Sequence, residues 1–347
     1  MLQTHTTKIS FVIVAKNAQQ FLGDILDDFS RQDYDSNLID AVFVDSNSTD
    51  ETLTIFKEFA ETAGCPCAVA ENPEQILPAG WNVAIPLCKG DVIVRVDAHS
   101  RINPDFFSSI AKNIEEGEKI VGGQRISIFE EKTAWNSLLS HVEKSFFGSG
   151  VATYRRKSDK GYVKTMAHAA YSREAFDAVG QYDRRLVRTE DNDMHYRMAS
   201  KGYKFCMCPD IVSYHYVRST GRGMLKQKFA NGYWNALTIS IQPKCMSLYH
   251  FVPFGFLMGL LTTALFGVIF GFWWFLWAVS GLYGLVALYA MIQEMREEKN
   301  KKRLPSLIAL PILFCIMHLS YGLGSLKGFV CLPFWYGKNK KPKDKIL

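Results

Sequence analysis

Two features that would assign this sequence to common classes of protein are missing from its N-terminal part. No Gly-x-Gly-x-x-Gly follows the first apolar run, residues 9–15, and this absence argues against a dinucleotide-binding oxidoreductase. The run is also short and ends before Lys16, so the N-terminus lacks the longer hydrophobic core of a secretory signal peptide. We therefore expect the N-terminal half of the chain to remain in the cytosol.

Cysteine pairs with the spacing of a zinc site are missing as well, although the chain has eight cysteines. The two close pairs, Cys65 with Cys67 and Cys206 with Cys208, are each separated by one residue. Zinc sites usually place two residues between paired ligands, whereas one intervening residue in a strand only puts both thiols on the same face. The sequence thus favours reduced, packed cysteines over a zinc site.

Acidic residues are scarce in the C-terminal part of the chain. From Arg218 onward the sequence has 16 Lys and Arg against 4 Asp and Glu, a net charge of +12, which leaves −6 for residues 1–217. The basic residues flank long apolar runs, and this arrangement indicates anionic lipid at a cytoplasmic membrane face rather than nucleic acid. Because 347 residues are too many for one ordinary core, we expect a catalytic domain followed by a membrane domain.

Apolar patterns alternate between strand and helix in residues 1–217, as in an α/β protein with a mostly parallel sheet. The predicted strands are at 9–15, 41–44, 67–70, 91–96 and 120–126, and the predicted helices at 18–30, 48–59, 78–87, 133–147 and from Pro104 onward. Ser48 and Glu51 have the spacing of a capping box at the start of the second helix. Residues 148–164 are rich in Gly, Ser and basic residues and predict a mobile loop near the site.

Carboxylates follow two of the predicted strands. Asp97 ends the fourth strand, with His99 two residues later, and Asp45 ends the second. In an open α/β sheet ligands bind outside the carboxyl ends of the strands. An oxygen and an imidazole there can hold a divalent ion against a diphosphate, and Asp45 can accept a hydrogen bond from a uracil imide or a ribose hydroxyl. The alternative is that Asp97 and Asp45 only shape turns and cap helices, with His99 solvated.

A second cluster of acids lies at residues 189–193. Thr189 is a good N-cap for a helix, and acids in the following turn are favoured by the positive end of the helix dipole. An ionised Asp191 at this place can take a proton from an incoming hydroxyl, and Asp193 and Arg197 can form a structural pair four residues apart. Taken alone, an acid-rich first turn is more often a capped helix start with ordinary solvation than a catalytic site.

Together these motifs resemble glycosyltransferase family 2, the inverting enzymes of GT-A fold. The segments that carry the resemblance over residues 8–217 are VIVAKN, VDSNSTDET, RVDAHS, TEDNDMHYRM and PDIVSYHY. More narrowly, the sequence is similar to membrane-bound bacterial exopolysaccharide glucosyltransferases of the ExoA type, which act in succinoglycan assembly. The resemblance implies a Rossmann-like nucleotide-sugar-binding domain, followed here by C-terminal transmembrane helices.

The resemblance also implies roles for single residues. Nucleotide-binding residues would be Ala15, Asn17, Asp45, Ser46 and Asp97. Asp97 and His99 stand at the metal-binding Asp-x-Asp motif, with His215 as a further ligand or a packed or solvated residue. Asp191 would be the catalytic base and Glu190 an acceptor-binding residue. The chain departs from the commonest pattern at Ser46 and His99, each of which replaces an Asp, so the ligand set of a Mg²⁺ or Mn²⁺ cofactor differs.

The C-terminal part predicts membrane elements. Residues 218–246 read as one or two interfacial amphipathic helices, and they lack the Gln-x-x-Arg-Trp of processive synthases. Residues 251–270 and 272–292 are each long enough to span a bilayer, in a membrane domain 247–347 that ends in a basic tail. The third apolar segment, 304–326, is predicted to be re-entrant or interfacial, because a third crossing would export the Lys-rich tail.

The sequence therefore predicts an inverting glycosyltransferase with its catalytic domain, residues 1–217, on the cytoplasmic side of a bacterial inner membrane. It would transfer a sugar from a nucleotide sugar, with UDP favoured, to a lipid-linked saccharide, and nucleic acid is not an expected partner. Two alternatives remain at this point: a polyprenyl-phosphate sugar synthase, and a catalytically silent membrane scaffold.

Overall fold

The computed structural model of the chain describes residues 5–129, 133–148, 159–217, 219–298 and 301–339, without the side chains of 301–303, 305 and 339. The chain forms two compact units. The first consists of Met1–Ile128 and Ala152–Val217, and the second of Phe129–Val151 and Arg218–Leu347. Residues 133–148, which come from the middle of the predicted catalytic segment 1–217, therefore pack within the second unit.

The first unit contains one mixed sheet and six α-helices among its described residues. Its strands are β1 Ile9–Ala15, β2 Ile39–Asp45, β3 Cys67–Glu71, β4 Val92–Arg95, β5 Ser100–Ile102, β6 Ile120–Ile128, β7 Gly161–Val163, β8 Ala170–Ser172 and β9 Phe205–Tyr216. Its helices are α1 Gln19–Ser30, α2 Thr52–Thr62, α3 Leu77–Ala84, α4 Phe106–Glu115, α6 Arg173–Val179 and α7 Glu190–Ser200. All five predicted strands are present.

The strand order is β3-β2-β1-β4-β8-β6-β9-β5, and β7 pairs with β9. Pairing is parallel across β3-β2-β1-β4 and between β6 and β9, and the other pairs are antiparallel. The α/β class is confirmed. Antiparallel β8 enters the sheet beside β4, so the parallel part that the sequence predicted covers only one side of a mixed sheet.

Both faces of the sheet are covered, which explains why β1 and β2 are apolar without alternation. Every residue of β1 and β2 is buried. Phe11 and Ile13 belong to a cluster on one face with α1, α2 and α4, and Val12 and Val14 belong to a cluster on the other face with α3, α6 and α7. The buried strands hold their carboxyl ends in fixed positions.

The predicted capping box of α2 is wrong. Helix α2 begins at Thr52, and the Asp50 carboxylate accepts from the Thr52 amide at 3.1 Å. Ser48 instead accepts a hydrogen bond from the Asn17 amide at 2.9 Å, so its side chain ties two loops together. The hydrogen bond from Asn17 to Ser48 at the edge of the sheet thus takes the place of the predicted capping contact between Ser48 and Glu51.

The second unit is helical. Its α-helices are α5 Ala134–Lys144, α8 Gly221–Thr238, α9 Val252–Phe270, α10 Trp274–Glu297 and α11 Leu310–Asn339. Among the described residues of this unit, three segments are long and apolar enough to cross a membrane: Leu248–Phe270, Trp274–Glu297 and Ser306–Lys338. Pro311 does not break the third apolar segment, because this proline lies in the first turn of α11, where its missing N–H costs no hydrogen bond.

Helix α8 packs closely along α11. A Cβ at Gly324 would overlap the carbonyl of Phe229, and one at Gly328 would lie 2.6 Å from the carbonyl of Tyr233. Small residues of this kind let two helix backbones approach closely. The predicted interfacial region 218–246 therefore contains a single long helix, and that helix is supported on one side by α11.

Helix α5 belongs to this unit through apolar and charged contacts. Leu138, Leu139 and Val142 are buried in one cluster with residues of α8, α10 and α11. Glu143 accepts from Lys228 of α8 at 2.8 Å, and His141 lies 2.7 Å from Glu294 of α10. Burial alone would lower the pKa of His141, but hydrogen bonds to Glu294 and Glu298 raise it.

Candidate functional site

Three parallel strands of the first unit end side by side. Ala15 at the end of β1 pairs in register with Asp45 at the end of β2, and β4 runs parallel to β1 on its other side. The Ser46 amide donates to the carbonyl of Ala15 at 2.8 Å, which holds the β2 loop against β1. The predicted nucleotide-binding residues therefore occupy one edge of the sheet.

Asn17 and Asp45 organise the loops at this edge. Asn17 has a positive φ of 50° and its side-chain oxygen accepts from the Thr49 amide at 2.8 Å. The Asp45 Oδ2 atom accepts from the Ser48 amide at 3.0 Å, whereas its Oδ1 atom is buried without a hydrogen-bond partner among the described residues. An unpaired buried carboxylate oxygen is costly, and a hydrogen-bond donor from a ligand would satisfy it.

Asn72, which the sequence did not single out, also holds this loop. Its side chain is buried, and the side-chain Nδ2 atom donates to the Ser46 hydroxyl at 3.0 Å. Its backbone N–H donates to the carbonyl of Asp45 at 2.7 Å. The signal in the sequence is only that Asn72 follows the third strand, at the same edge as Asp45. The Ser46 hydroxyl is therefore engaged by Asn72 in a contact between two loops.

Asp97, His99 and His215 form a three-residue cluster that could hold a metal ion. One ligand atom from each residue lies within 4.8 Å of the others. The rings of His99 and His215 are 4.4 Å apart between centroids, and the Nδ1 atom of His215 is 3.9 Å from Asp97 Oδ2. The antiparallel pairing of β5 with β9 brings the two histidines together, since the amide of Tyr216 donates to the carbonyl of His99 at 2.9 Å.

A buried histidine positions the carboxylate of this cluster. The Nε2 atom of His168 lies 3.3 Å from Asp97 Oδ2 and 3.1 Å from the Ser100 hydroxyl, and Nδ1 lies 2.9 Å from the Ser213 hydroxyl. Its backbone has a positive φ of 49°, which is uncommon for a side chain of this size. His168 could not be found from the sequence, because it precedes β8 and belongs to none of the recognised motifs.

The electrostatics of the cluster suit a cation. Burial would raise the pKa of Asp97, but the hydrogen bond from His168 and the nearby imidazoles hold it well below its usual range. Burial and the charge of Arg125 lower the pKa of His215, so this ring is neutral, which is the form that binds metals. The Nδ1 atom of His215 is buried and has no hydrogen-bond partner among the described residues. This set of one oxygen and two nitrogens fits a divalent ion, with its identity open between Mg²⁺ and Mn²⁺.

Helix α7 places its acids in two different environments. Glu190 is 3% exposed and pairs with Arg95 at 3.2 Å, whereas Asp191 is half-buried and accepts from the Asn192 amide at 2.8 Å. Burial and the charge of Asp191 raise the pKa of Glu190 to about 8, although Arg95 opposes this. Asp191 is therefore the more accessible of the two carboxylates, and Glu190 is held inside the protein.

Arg95 connects the two clusters. It lies two residues before Asp97, its guanidinium stacks over Trp81 at 4.6 Å, and it reaches Glu190 at the start of α7. Because Glu190 and Asp191 are neighbours, this buried pair fixes the start of α7 beside β4, the strand that precedes Asp97. Arg95 stands inside the predicted fourth strand, and nothing in the strand pattern distinguished it as a link.

Two further contacts of α7 concern its middle. His195 is 2% exposed, and its ring nitrogens lie 2.7 Å from the Tyr171 hydroxyl and 3.0 Å from the Thr165 hydroxyl. Burial lowers the pKa of His195 to about 4, so the ring is neutral and structural. The predicted pair of Asp193 and Arg197 is present at 2.9 Å. The binding and catalytic roles assigned from the sequence stay predictions, including that of Glu190 for the acceptor.

Comparisons with known proteins agree on one family. Residues 10–180 match the family model described as Glycosyl transferase family 2. A dolichyl N-acetyl-α-D-glucosaminyl phosphate 3-β-D-2,3-diacetamido-2,3-dideoxy-β-D-glucuronosyltransferase of Methanococcus voltae is 24% identical over 333 residues, 93% of this chain and 97% of that protein. The succinoglycan biosynthesis protein ExoA of Rhizobium meliloti (strain 1021) is 28% identical over 201 residues, 55% of this chain and 58% of that protein.

A solved structure shares the fold. The mannosyltransferase PcManGT from Pyrobaculum calidifontis, in complex with GDP-Man and Mn²⁺, superposes with a TM-score of 0.59 at 16% identity. The match covers 94% of this chain and 88% of that one.

Proposed function

Since this chain belongs to glycosyltransferase family 2 through the domain at residues 10–180 and is a glycosyltransferase, we propose that it transfers one sugar from a nucleotide sugar to a lipid-linked saccharide, with inversion. The observation that carries the proposal is the link through Arg95, which joins the Asp97 cluster to the acids of α7. One cluster has the ligands for a diphosphate-bound cation, and the other supplies a carboxylate for the acceptor.

The donor half of the proposed reaction uses the sheet edge. Asp97, His99 and His215 would hold a divalent cation, which when bound neutralises the diphosphate leaving group without proton transfer. The unpaired Oδ1 atom of Asp45 favours a ligand with a hydrogen-bond donor, such as the imide of uracil. We therefore propose a UDP sugar as the donor.

The acceptor half uses helix α7. Asp191 accepts the proton of the acceptor hydroxyl as that oxygen attacks the anomeric carbon, and the diphosphate leaves from the opposite face. Glu190 keeps Asp191 in place through its pair with Arg95. Direct displacement of this kind inverts the anomeric centre and needs no covalent nucleophile.

Two observations support the proposal of a lipid-linked acceptor. The Methanococcus voltae relative, whose name specifies a dolichyl-linked sugar phosphate as its substrate, aligns over 93% of this chain. The second unit contains helices apolar enough to enter a membrane, where such a lipid resides. We place the enzyme in the plasma membrane, the inner membrane of a bacterium, with its catalytic unit in the cytoplasm.

The test is to incubate the purified protein with a panel of UDP and GDP sugars and a native lipid extract, with Mn²⁺ or with a chelator. We expect one donor to yield a lipid-linked glycan that is heavier by one sugar, in a metal-dependent reaction. A product formed on bare polyprenyl phosphate would replace the proposal by the polyprenyl-phosphate sugar synthase. Absence of product with every donor, together with no heat from UDP and Mn²⁺ in calorimetry, would leave a membrane scaffold.

A further inference from the structure

The three long apolar helices do not pack in the same way. Helices α9 and α10 form a hairpin that turns at Gly271, where φ is 75°. Phe256 stacks on Tyr283 with ring centroids 4.0 Å apart, and Phe266 meets Phe275 nearer the turn at 5.4 Å. In the most apolar 18-residue stretch of each of these two helices only 11% is buried, whereas in the corresponding stretch of α11 39% is buried. Most of the apolar surface of the hairpin is therefore free to contact lipid, whereas a larger share of α11 is covered by other helices.

The contacts between α11 and the hairpin that involve His318, Gly322 and Phe329, all described residues, lie near the open end of the hairpin. His318 lies 2.9 Å from the Tyr283 hydroxyl, and a Cβ at Gly322 would lie 2.9 Å from the Leu257 side chain. Farther along, Phe329 packs against Phe254 with centroids 4.9 Å apart.

These contacts fix the direction of α11. Between His318 and Phe329 the helix advances about 16 Å at 1.5 Å per residue, but its partners on α9 stay within the first two turns of that helix. Before His318, Leu310 and Phe314 share a buried cluster with Ala287 and Ala290, which also lie toward the open end of the hairpin. Helix α11 therefore crosses the base of the hairpin and does not run along it.

The hairpin alone has the length of a bilayer. From Phe251 to Gly271 the chain rises about 30 Å, which equals the thickness of the hydrocarbon core. Its far part carries exposed apolar side chains such as Ile269, Trp274 and Trp277. When this hairpin spans the membrane, its base lies at the headgroup boundary, and a helix that crosses the base lies in the membrane plane.

The surface of α11 agrees with that position. Five of its six exposed large apolar residues, all except Tyr336, fall on one stripe at helical spacing: Ile312, Ile316, Leu323, Val330 and Phe334. Lys327, near the middle of the helix, is exposed, and its ammonium lies 5.8 Å from the ring of Tyr233 on α8. A lysine at the middle of a spanning helix would sit deep in hydrocarbon, whereas in an in-plane helix it reaches the headgroups.

We propose that only α9 and α10 cross the membrane, and that α11 lies in the membrane plane with α8 against it, facing anionic headgroups. The proposal assigns the C-terminal lysines, at 338, 340, 341, 343 and 345, to the same side as the connection between α10 and α11. A basic tail on the cytoplasmic side follows the positive-inside rule. Length and composition alone would give three crossings, since Ser306–Lys338 also qualifies.

Labelling of introduced cysteines tests the topology. Phe272→Cys reports on the hairpin turn, Lys299→Cys on the α10–α11 connection, and Lys345→Cys on the tail. Intact cells of a bacterial host are treated with a membrane-impermeant maleimide, and the unsubstituted protein gives the background from the eight native cysteines. We expect Phe272→Cys to be labelled in intact cells, and the other two variants only after permeabilisation.

Labelling of Lys345→Cys but not Lys299→Cys in intact cells would show three crossings and overturn the proposal. Failure to label Phe272→Cys in intact cells, with labelling after permeabilisation, would show that the hairpin does not span and overturn it as well. A C-terminal epitope tag on the otherwise natural chain gives a second measurement that needs no substitution. Protease should remove the tag in inside-out vesicles and leave it in right-side-out vesicles, and the reverse pattern contradicts the proposal. Neither measurement depends on transferase activity.

Discussion

At the level of single residues, Asp97 shows how a short motif acquires its chemistry from distant parts of the chain. His99 comes from the same segment, but His168 and His215 are supplied by residues 71 and 118 positions later. The sequence predicted the aspartate and the first histidine from their place after a strand. It could not predict His168, because that contact depends on how the loop before β8 returns to the sheet.

Replacing Asp97 with Asn tests the metal site. The amide keeps the size of the side chain but loses the charge that opposes a cation, so metal-dependent affinity for a nucleoside diphosphate should fall at least about tenfold. Titration calorimetry with UDP and Mn²⁺ measures the effect, and Asp105→Asn, an exposed carboxylate before α4, is the control. Unchanged affinity in Asp97→Asn would remove this residue from the site.

Substitutions of Asp191 and Glu190 should distinguish a residue that takes the acceptor proton from one that only holds that residue in position. Asp191→Asn cannot accept the proton of the acceptor, and transfer in a single turnover should fall by about 10²-fold or more while donor affinity stays the same. Glu190→Gln should have a smaller effect, since its amide oxygen can still accept from Arg95. Near-normal transfer by Asp191→Asn would contradict the assignment of the base and favour a phosphate acceptor.

At the level of secondary-structure elements, the packing of α8 on α11 depends on glycines that look unremarkable in an apolar sequence. Gly324→Leu should push the two helices apart, because its Cβ meets the backbone carbonyl of Phe229. Overpacking costs roughly 1–3 kcal/mol, so the melting temperature in detergent should drop by several degrees. Gly337→Leu is the matched control, since nothing lies within 4 Å of a Cβ there. Equal melting temperatures for both variants would contradict the close contact.

The attachment of α5 should depend on pH through His141. Its pKa is raised in the folded protein by Glu294 and Glu298, despite burial, so its charged form stabilises the fold. This contribution is complete below the unfolded pKa of about 6.5 and is lost as pH rises through the higher folded value. The difference in melting temperature between the natural protein and His141→Gln should therefore shrink from pH 6 upward to pH 9. A difference that grows over this range would contradict the ion pairs.

At the level of the whole molecule, the donor site and the membrane helices belong to different units. A fragment of residues 1–217 keeps both segments of the first unit but leaves α5 without its partners. We expect this fragment to aggregate, and we expect Leu138→Gln, Leu139→Gln and Val142→Gln together to make it soluble. The soluble fragment should bind donor and metal within about threefold of the full-length affinity, and it should not transfer sugar to lipid acceptors.

Two results would contradict this division. A soluble, monomeric fragment without the three substitutions would show that α5 does not need the second unit. Loss of nucleotide binding in the substituted fragment would show that the second unit contributes to the donor site. Gel filtration and calorimetry on the two fragments distinguish these outcomes.

The sequence by itself determined the local structure of this protein and the residue types of its site. Buried strands such as Ile9–Ala15 can be predicted from the sequence, because residues on both of their faces are apolar. The carboxylates of the site also follow from local position, since they lie where strands end or a helix begins: Asp45, Asp97 and Asp191. Tertiary structure decided which of these groups meet. The Arg95–Glu190 pair, the His168 contact and the place of α5 each join residues at least 71 positions apart, and no local periodicity encodes such contacts. The direction of α11 has the same origin. Its length and apolar composition suit both a spanning and an in-plane helix, the Lys-rich tail favours the in-plane one, and its contacts at the base of the hairpin give its direction.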